Sequence, residues 1–309
     1  MQYIDVVSGP QKASSIILGC MRMPALTVEQ AAEVLRAAGE NGINFFDHAT
    51  CYGENGAAET RFGDAFPLSG LRREDVYIQS KCGLVFERGE FDWTKENILE
   101  SVDGSLSRLK TDYLDVLLLH RPDPLFDPEE VAAAFDALQE SGKVRFFGVS
   151  NLSTFQIMLL QKYVRQKLVF NQLQLSLDQS MLIDQAFYMN NMTTERSLDR
   201  DNGTLDYCRL LDITIQCWSP LQHGFFKGCF VDDPAFPELN RVLGELGEKY
   251  GVSKTAVAIA WILRHPAKMQ PIAGTMNPEH LREICEATSF RLTHREWYKL
   301  YLASGKFLP

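Results

Sequence analysis

"YLDVLLLHRPDPLFDPEEVAAAFDALQESGKVRFFGVSN", residues 113 to 151, contains one complete unit of the fold. It begins with a short apolar run closed by a histidine and ends with a second β-rich run, "VRFFGVS". Between them "DPEEVAAAFDALQESG" has the apolar spacing of an amphipathic helix and closes on Gly142. The alternation continues in both directions. Strands are read at "SSIILG", "INFFD" and "VYIQSK" upstream, and at "LVFNQ", "ITIQCW" and "MQPIAG" downstream. Helices such as "TVEQAAEVLRAAGENG", "TKENILESVDGSLSRL" and "STFQIMLLQKYV" separate most of them, with Thr27, Thr94 and Ser153 as N-caps and Gly42 as a second closing glycine. Eight β/α repeats without a break in composition predict a single-domain (β/α)8 TIM barrel, a fold of ~250 residues. Over residues 1–309 the barrel is expected at about 15–290 and an extra C-terminal helix at about 293–303. A doubly wound dinucleotide fold would need G-x-G-x-x-G after a strand, and that spacing does not occur.

The 309 residues carry a formal net charge of −9 with the two signs interspersed. That balance argues against nucleic acid or anionic membrane as partner, both of which select a positive surface. The longest apolar runs fall well short of the ~20 residues that span a bilayer. "MQYIDVVSGP" lacks the charged and apolar regions of a signal peptide, so a cytoplasmic location is expected. Seven scattered cysteines without a C-x-x-C spacing fit free thiols in a reducing compartment.

Barrel enzymes carry their reactive groups at the C-terminal ends of the strands. Here those ends carry Asp47 with Tyr52 just beyond, then Lys81, His120, Ser150 with Asn151, Gln172, and Trp218 with Ser219. Singly, each has an ordinary explanation as a surface, turn or core residue; together they make a mechanism. A phenol of pKa ~10 is a poor acid at neutral pH. A neighbouring ammonium lowers that value, a carboxylate keeps the ammonium charged and oriented, and an imidazole holds a substrate oxygen. This is the proton-donating half of a carbonyl reduction. His48 follows Asp47 directly and should face away from the pocket. Cys51 and Cys82 read as neutral packing thiols.

In these residues the chain resembles the aldo-keto reductase superfamily. The resemblance rests on "FDHATCYG", "LLLHRPD" with "GKVRFFGVSN" after it, "NQLQLS" and "WSPL", and runs from about residue 15 to about 290. It implies a catalytic tetrad of Asp47, Tyr52, Lys81 and His120, with Lys81 depressing the pKa of Tyr52. It also implies hydride transfer between NAD(P)H and an aldehyde or ketone, on a cofactor stretched across the barrel mouth. Ser150, Asn151 and Gln172 would then hold the carboxamide and Trp218 would stack on the nicotinamide, where better-known members carry tyrosine. Met21, Arg22, Ser219, Leu221 and Gly224 would follow the cofactor toward its pyrophosphate. Gly274, Thr275, His280 and Arg282 would meet the adenosine phosphate. Many NADP-using relatives carry lysine where Gly274 stands and arginine where His280 stands, so NADP is expected with NAD as the alternative.

Residues of "GCMRM", Phe86, Trp93, Leu125, Phe126 and a loop at 178–204 over the mouth are expected to shape an apolar pocket for a small carbonyl substrate. The protein is expected as a monomer or a weak homo-oligomer. Three other readings compete. A cofactor sensor without catalysis would have no need of Tyr52. A barrel hydrolase holding a metal on Asp47, His120 and Asp123 leaves Lys81 without a place, so no metal is expected. A serine hydrolase would need the second glycine that "GVSNL" lacks.

Overall fold

The computed structural model describes residues 1–5, 12–188, 194, 195, 198 and 202–309. Eight strands close a barrel: β1 (Ile17–Gly19), β2 (Phe45–Asp47), β3 (Tyr77–Cys82), β4 (Leu114–Leu119), β5 (Val144–Ser150), β6 (Leu168–Gln174), β7 (Thr214–Trp218) and β8 (Met269–Ala273). Each pairs in parallel with the next, and β8 pairs with β1. Strands covered on both faces need side chains that are apolar in both directions, hence runs such as "DVLLL". Inside the barrel, Ile17, Phe45, Tyr77, Val116, Leu118, Val169, Phe170 and Ile272 pack into one cluster. At the N-terminal end of the barrel, Tyr3–Ile4 pairs antiparallel with Ala13–Ser14, and Ile4 packs against that cluster.

The helices are α1 (Val28–Glu40), α2 (Ala57–Ser69), α3 (Lys95–Leu109), α4 (Pro128–Glu140), α5 (Thr154–Gln161), α6 (Met181–Tyr188), α7 (Thr204–Leu210), α8 (Pro237–Tyr250), α9 (Lys254–Leu263), α10 (Pro278–Glu286) and α11 (His294–Ala303). Thr27 and Gln30 form a reciprocal capping box on α1, and Thr94 caps α3 through the Asn97 N–H. Gly42 and Gly142 end α1 and α4 at φ 81° and 75°, a left-handed turn that costs glycine little.

Helix α2 carries little apolar periodicity because what it buries is small or polar: Ala58, Glu59, Gly63, Ala65 and Ser69 beside Phe62. Glu59 is fully buried and is held by Arg108 at 2.8 Å and Ser80 at 2.5 Å. Gly63 lets α2 lie directly on the end of α3, since a Cβ there would sit 2.2 Å from the Arg108 carbonyl oxygen. Gly63→Ala is therefore expected to destabilise the fold by about 1–3 kcal/mol. The measurement is a lower denaturant midpoint at unchanged slope; an unchanged midpoint would contradict the close approach.

The segment at 178–204 departs from the expected loop over the mouth. Met181–Tyr188 is helix α6, packed on the flank against α11. Tyr301 donates a 2.8 Å hydrogen bond to Asp184, and the fully buried Tyr188 donates one of 2.6 Å to the Phe307 carbonyl. Most of the remaining segment, 189–193, 196, 197 and 199–201, lies outside the described residues. Among the described residues no helix is long and apolar enough to cross a membrane.

Candidate active site

Asp47 ends β2 opposite Gln79 of β3, and Lys81, two residues beyond Gln79, shares the same face of that strand, so the two side chains can meet. Lys81 is fully buried and its ammonium uses all three protons: on the Asp47 carboxylate at 2.8 Å, the His48 carbonyl at 2.8 Å and the Tyr52 hydroxyl at 3.0 Å. Asp47 also accepts from Gln79 at 2.6 Å and from Gln172 at 3.0 Å. His120, just past β4, lies edge-on to Tyr52 with ring centroids 5.9 Å apart. The four residues expected as a tetrad thus meet in one place.

Their electrostatics follow from burial and pairing. Burial alone would discharge Lys81, but Asp47 and then Tyr52 overcome it and hold the lysine above its ordinary value. For Tyr52 burial prevails: the phenol is pushed up to about 12 against the lowering effect of Lys81, while Asp47 pushes the same way as burial. Lys81 thus depresses Tyr52 in the expected direction, but burial outweighs it and leaves the phenol above its ordinary value. Burial, then Lys81 and Arg121, hold the His120 imidazolium well below the ordinary range, so the ring is neutral near pH 7. Cys51 lies with its Sγ 3.4 Å from His120 Nδ1, and burial raises its thiol to about 11. Cys82 is likewise raised to about 12 by burial. His48 points away from the site onto Phe62, with centroids 4.5 Å apart, and burial lowers it to about 3.

A cavity of about 940 Å³ opens above these groups and runs from Tyr52 and His120 to His280 and Ile284 on α10. Met21, Arg22, Ser150, Asn151, Gln172, Trp218, Ser219, Leu221, Gly274, Thr275 and His280 all line it. Asn151 turns the chain at φ 62°, its amide donating 2.7 Å to Ser150 Oγ while its oxygen accepts from Trp218 Nε1 at 3.2 Å. Ser150 in turn donates to the Gln172 carbonyl at 3.0 Å. At the far end, Thr275, Asn277 and His280 bring polar side chains to the cavity at the start of α10, where Asn277 caps the Glu279 N–H, a set of groups suited to phosphate. The cavity's extent from Tyr52 to α10, its Trp218 wall, its amides at one end and its polar groups at the other suit an extended dinucleotide.

Two residues expected on the cofactor stand elsewhere. Arg282 is exposed and pairs along its own helix with Glu286 at 3.2 Å. Gly224 does not line the cavity: its N–H donates to Asp178 at 3.1 Å and its carbonyl accepts from Gln174 at 3.0 Å. On the substrate side, Trp93 is buried against Phe126, with centroids 5.1 Å apart, and Leu125 is 92% exposed, so none of the three lines the cavity. Leu84, Phe225 and Phe226 do, together with Phe86, and so does Arg121, which the sequence reading passed over. Asp123 accepts from the backbone N–H groups of Trp93 and Leu125 at 3.2 and 2.8 Å, which makes it a loop brace. Among the described residues no group of three or more His, Cys, Asp or Glu side chains is arranged to hold a metal ion.

Comparison with known proteins gives the same picture. Residues 15–301 match the Aldo/keto reductase family. An uncharacterized oxidoreductase of Bacillus subtilis, YcsN, is 39% identical over 85% of this chain and 84% of its own length. The 6-dehydroglucose reductase of Agrobacterium fabrum is 36% identical over 97% of both chains. The crystal structure of the thermostable aldo-keto reductase Tm1743, in complex with the inhibitor epalrestat, superposes with a TM-score of 0.77 at 25% identity, covering 98% of this chain and all of that one. The chain is an oxidoreductase of the aldo/keto reductase family.

Proposed function

We propose that the protein reduces an aldehyde or ketone with NAD(P)H, with Tyr52 as the proton donor. The observation that carries this reading is the buried lysine bonded at once to Asp47 and to the phenol of Tyr52, facing a cavity long enough for a dinucleotide. When bound, the reduced nicotinamide supplies the hydride. Trp218 gives its ring a flat wall, and Ser150, Asn151 and Gln172 offer amide and hydroxyl partners to its carboxamide.

A phenol raised to about 12 keeps its proton until the carbonyl oxygen takes it. As that proton leaves, the ammonium of Lys81 stabilises the phenolate left behind. With the neutral thiol of Cys51 as donor to His120 Nδ1, the imidazole proton would stand on Nε2, where it would steady the carbonyl oxygen. Asp47, braced by Gln79 and Gln172, keeps Lys81 charged and aimed.

NADPH oxidation in the presence of a panel of aldehydes and ketones tests the reading; cofactor binding without turnover of any of them would favour a sensor instead. The α10 end of the cavity makes a separate prediction about cofactor choice. His280→Ala is expected to weaken NADPH about 3- to 10-fold more than NADH, the effect of one hydrogen bond to a phosphate. Arg282→Ala, tied as it is to Glu286, should leave the ratio of the two dissociation constants within about twofold. A ratio that follows Arg282 and ignores His280 would overturn this assignment.

A further inference from the structure

Arg121 leaves the end of β4 directly after His120 and faces the cavity that receives Tyr52. Its guanidinium stands 5.7 Å from the centre of the Trp218 ring. Among the described residues it makes no hydrogen bond and no ion pair, although it is only partly exposed. The carboxylate on its own loop, Asp123, is taken up by the Trp93 and Leu125 N–H groups. Other shielded arginines here are paired: Arg73 with Asp115 at 2.7 Å and Arg108 with Glu59 at 2.8 Å.

A guanidinium drawn partly out of water without acceptors costs free energy, and it becomes favourable once a ligand brings oxygens to its fork of five donors. The apolar part of the cavity wall, Met21, Leu84, Phe86, Phe225 and Phe226, cannot supply them. The other arginine of the cavity, Arg22, is engaged with the Gly274 carbonyl at 3.0 Å, toward the α10 end. Among the described residues that line the cavity the only carboxylate, Asp47, is bound to Lys81. Among the described residues Arg121 is therefore the free cation beside the reacting groups.

We propose that Arg121 binds acceptor oxygens on the carbonyl substrate, so that the substrates are oxygenated carbonyl compounds, hydroxyaldehydes or oxo-acids, and not plain hydrocarbon aldehydes. This rests on the carbonyl-reductase reading and names the substrate class for the same site. Hydroxyl and carboxylate oxygens share the chemistry that a guanidinium recognises, and the choice of substrates separates them.

The test compares butanal, glyceraldehyde and 4-oxobutanoate as substrates for the parent, Arg121→Met and Arg121→Lys, with one cofactor held saturating. In the parent, kcat/KM for at least one oxygenated compound should exceed that for butanal. In Arg121→Met that preference should collapse about 10- to 100-fold, chiefly through KM, the size of a lost hydrogen bond to a charged group. Loss confined to 4-oxobutanoate, partly restored by lysine, identifies a carboxylate; loss on glyceraldehyde, which a point charge restores poorly, identifies hydroxyls. The proposal falls if the parent prefers butanal to both, or if Arg121→Met lowers all three alike. Absence of turnover with every carbonyl and either cofactor would instead remove the reductase reading, and this inference with it.

Discussion

Tyr52→Phe is expected to lower kcat for carbonyl reduction on the order of 10³-fold, the range for loss of a positioned general acid. The dissociation constant of the cofactor should stay within about twofold, because only the hydroxyl is removed and the ring remains. Lys81 would lose one of its three acceptors but keep Asp47 and the His48 carbonyl, so its charge stays in place. Single-turnover kinetics with cofactor bound in advance separates the chemical step from binding. Near-parental turnover would show that the proton comes from elsewhere.

Lys81→Met should be as damaging to turnover and more damaging to the fold. The substitution leaves Asp47 buried without its cation, a loss of about 3–5 kcal/mol. Thermal melting therefore has to accompany the kinetics. The pH dependence then isolates the electronic role. In the parent, a phenol raised to about 12 stays protonated throughout the neutral and mildly alkaline range. Reduction should accordingly show no falling limb from Tyr52 between about pH 6 and 9, and His120, already neutral, should add none near neutrality. The reverse reaction needs the phenolate, so its rate should climb with pH. Lys81 lowers the pKa of Tyr52, so its removal raises that value further and moves the climb to still higher pH. A variant profile that overlays the parent's would mean that Lys81 does not tune Tyr52.

The barrel was legible because each strand is an apolar run bounded by turn signals, and the four polar groups sit where those runs stop. Helix α2 was not, since it turns glycine, alanine and a paired glutamate inward and offers no apolar stripe to read. Arg282 misled for a physical reason: a cation near a phosphate site also has Glu286 one turn along its own helix, and that pair forms at once. Trp93 and Leu125 lie close in sequence to the strand ends, but Asp123 gathers their backbone and ties the loop away from the cavity. The pKa of Tyr52 misled differently, because proximity to Lys81 is visible in the sequence pattern and the extent of burial is not. Arg121 went unread because an arginine beside a strand end is ordinarily solvated; only the lack of a carboxylate partner around it marks it out.

The short pairing of Tyr3–Ile4 with Ala13–Ser14 at the lower end has a kinetic consequence. With Ile4 set against the interior cluster, the barrel has a floor, and among the described residues the cavity beside Tyr52 lies at the opposite end. Cofactor and substrate would therefore share one rim, and each would have to make room there for the other.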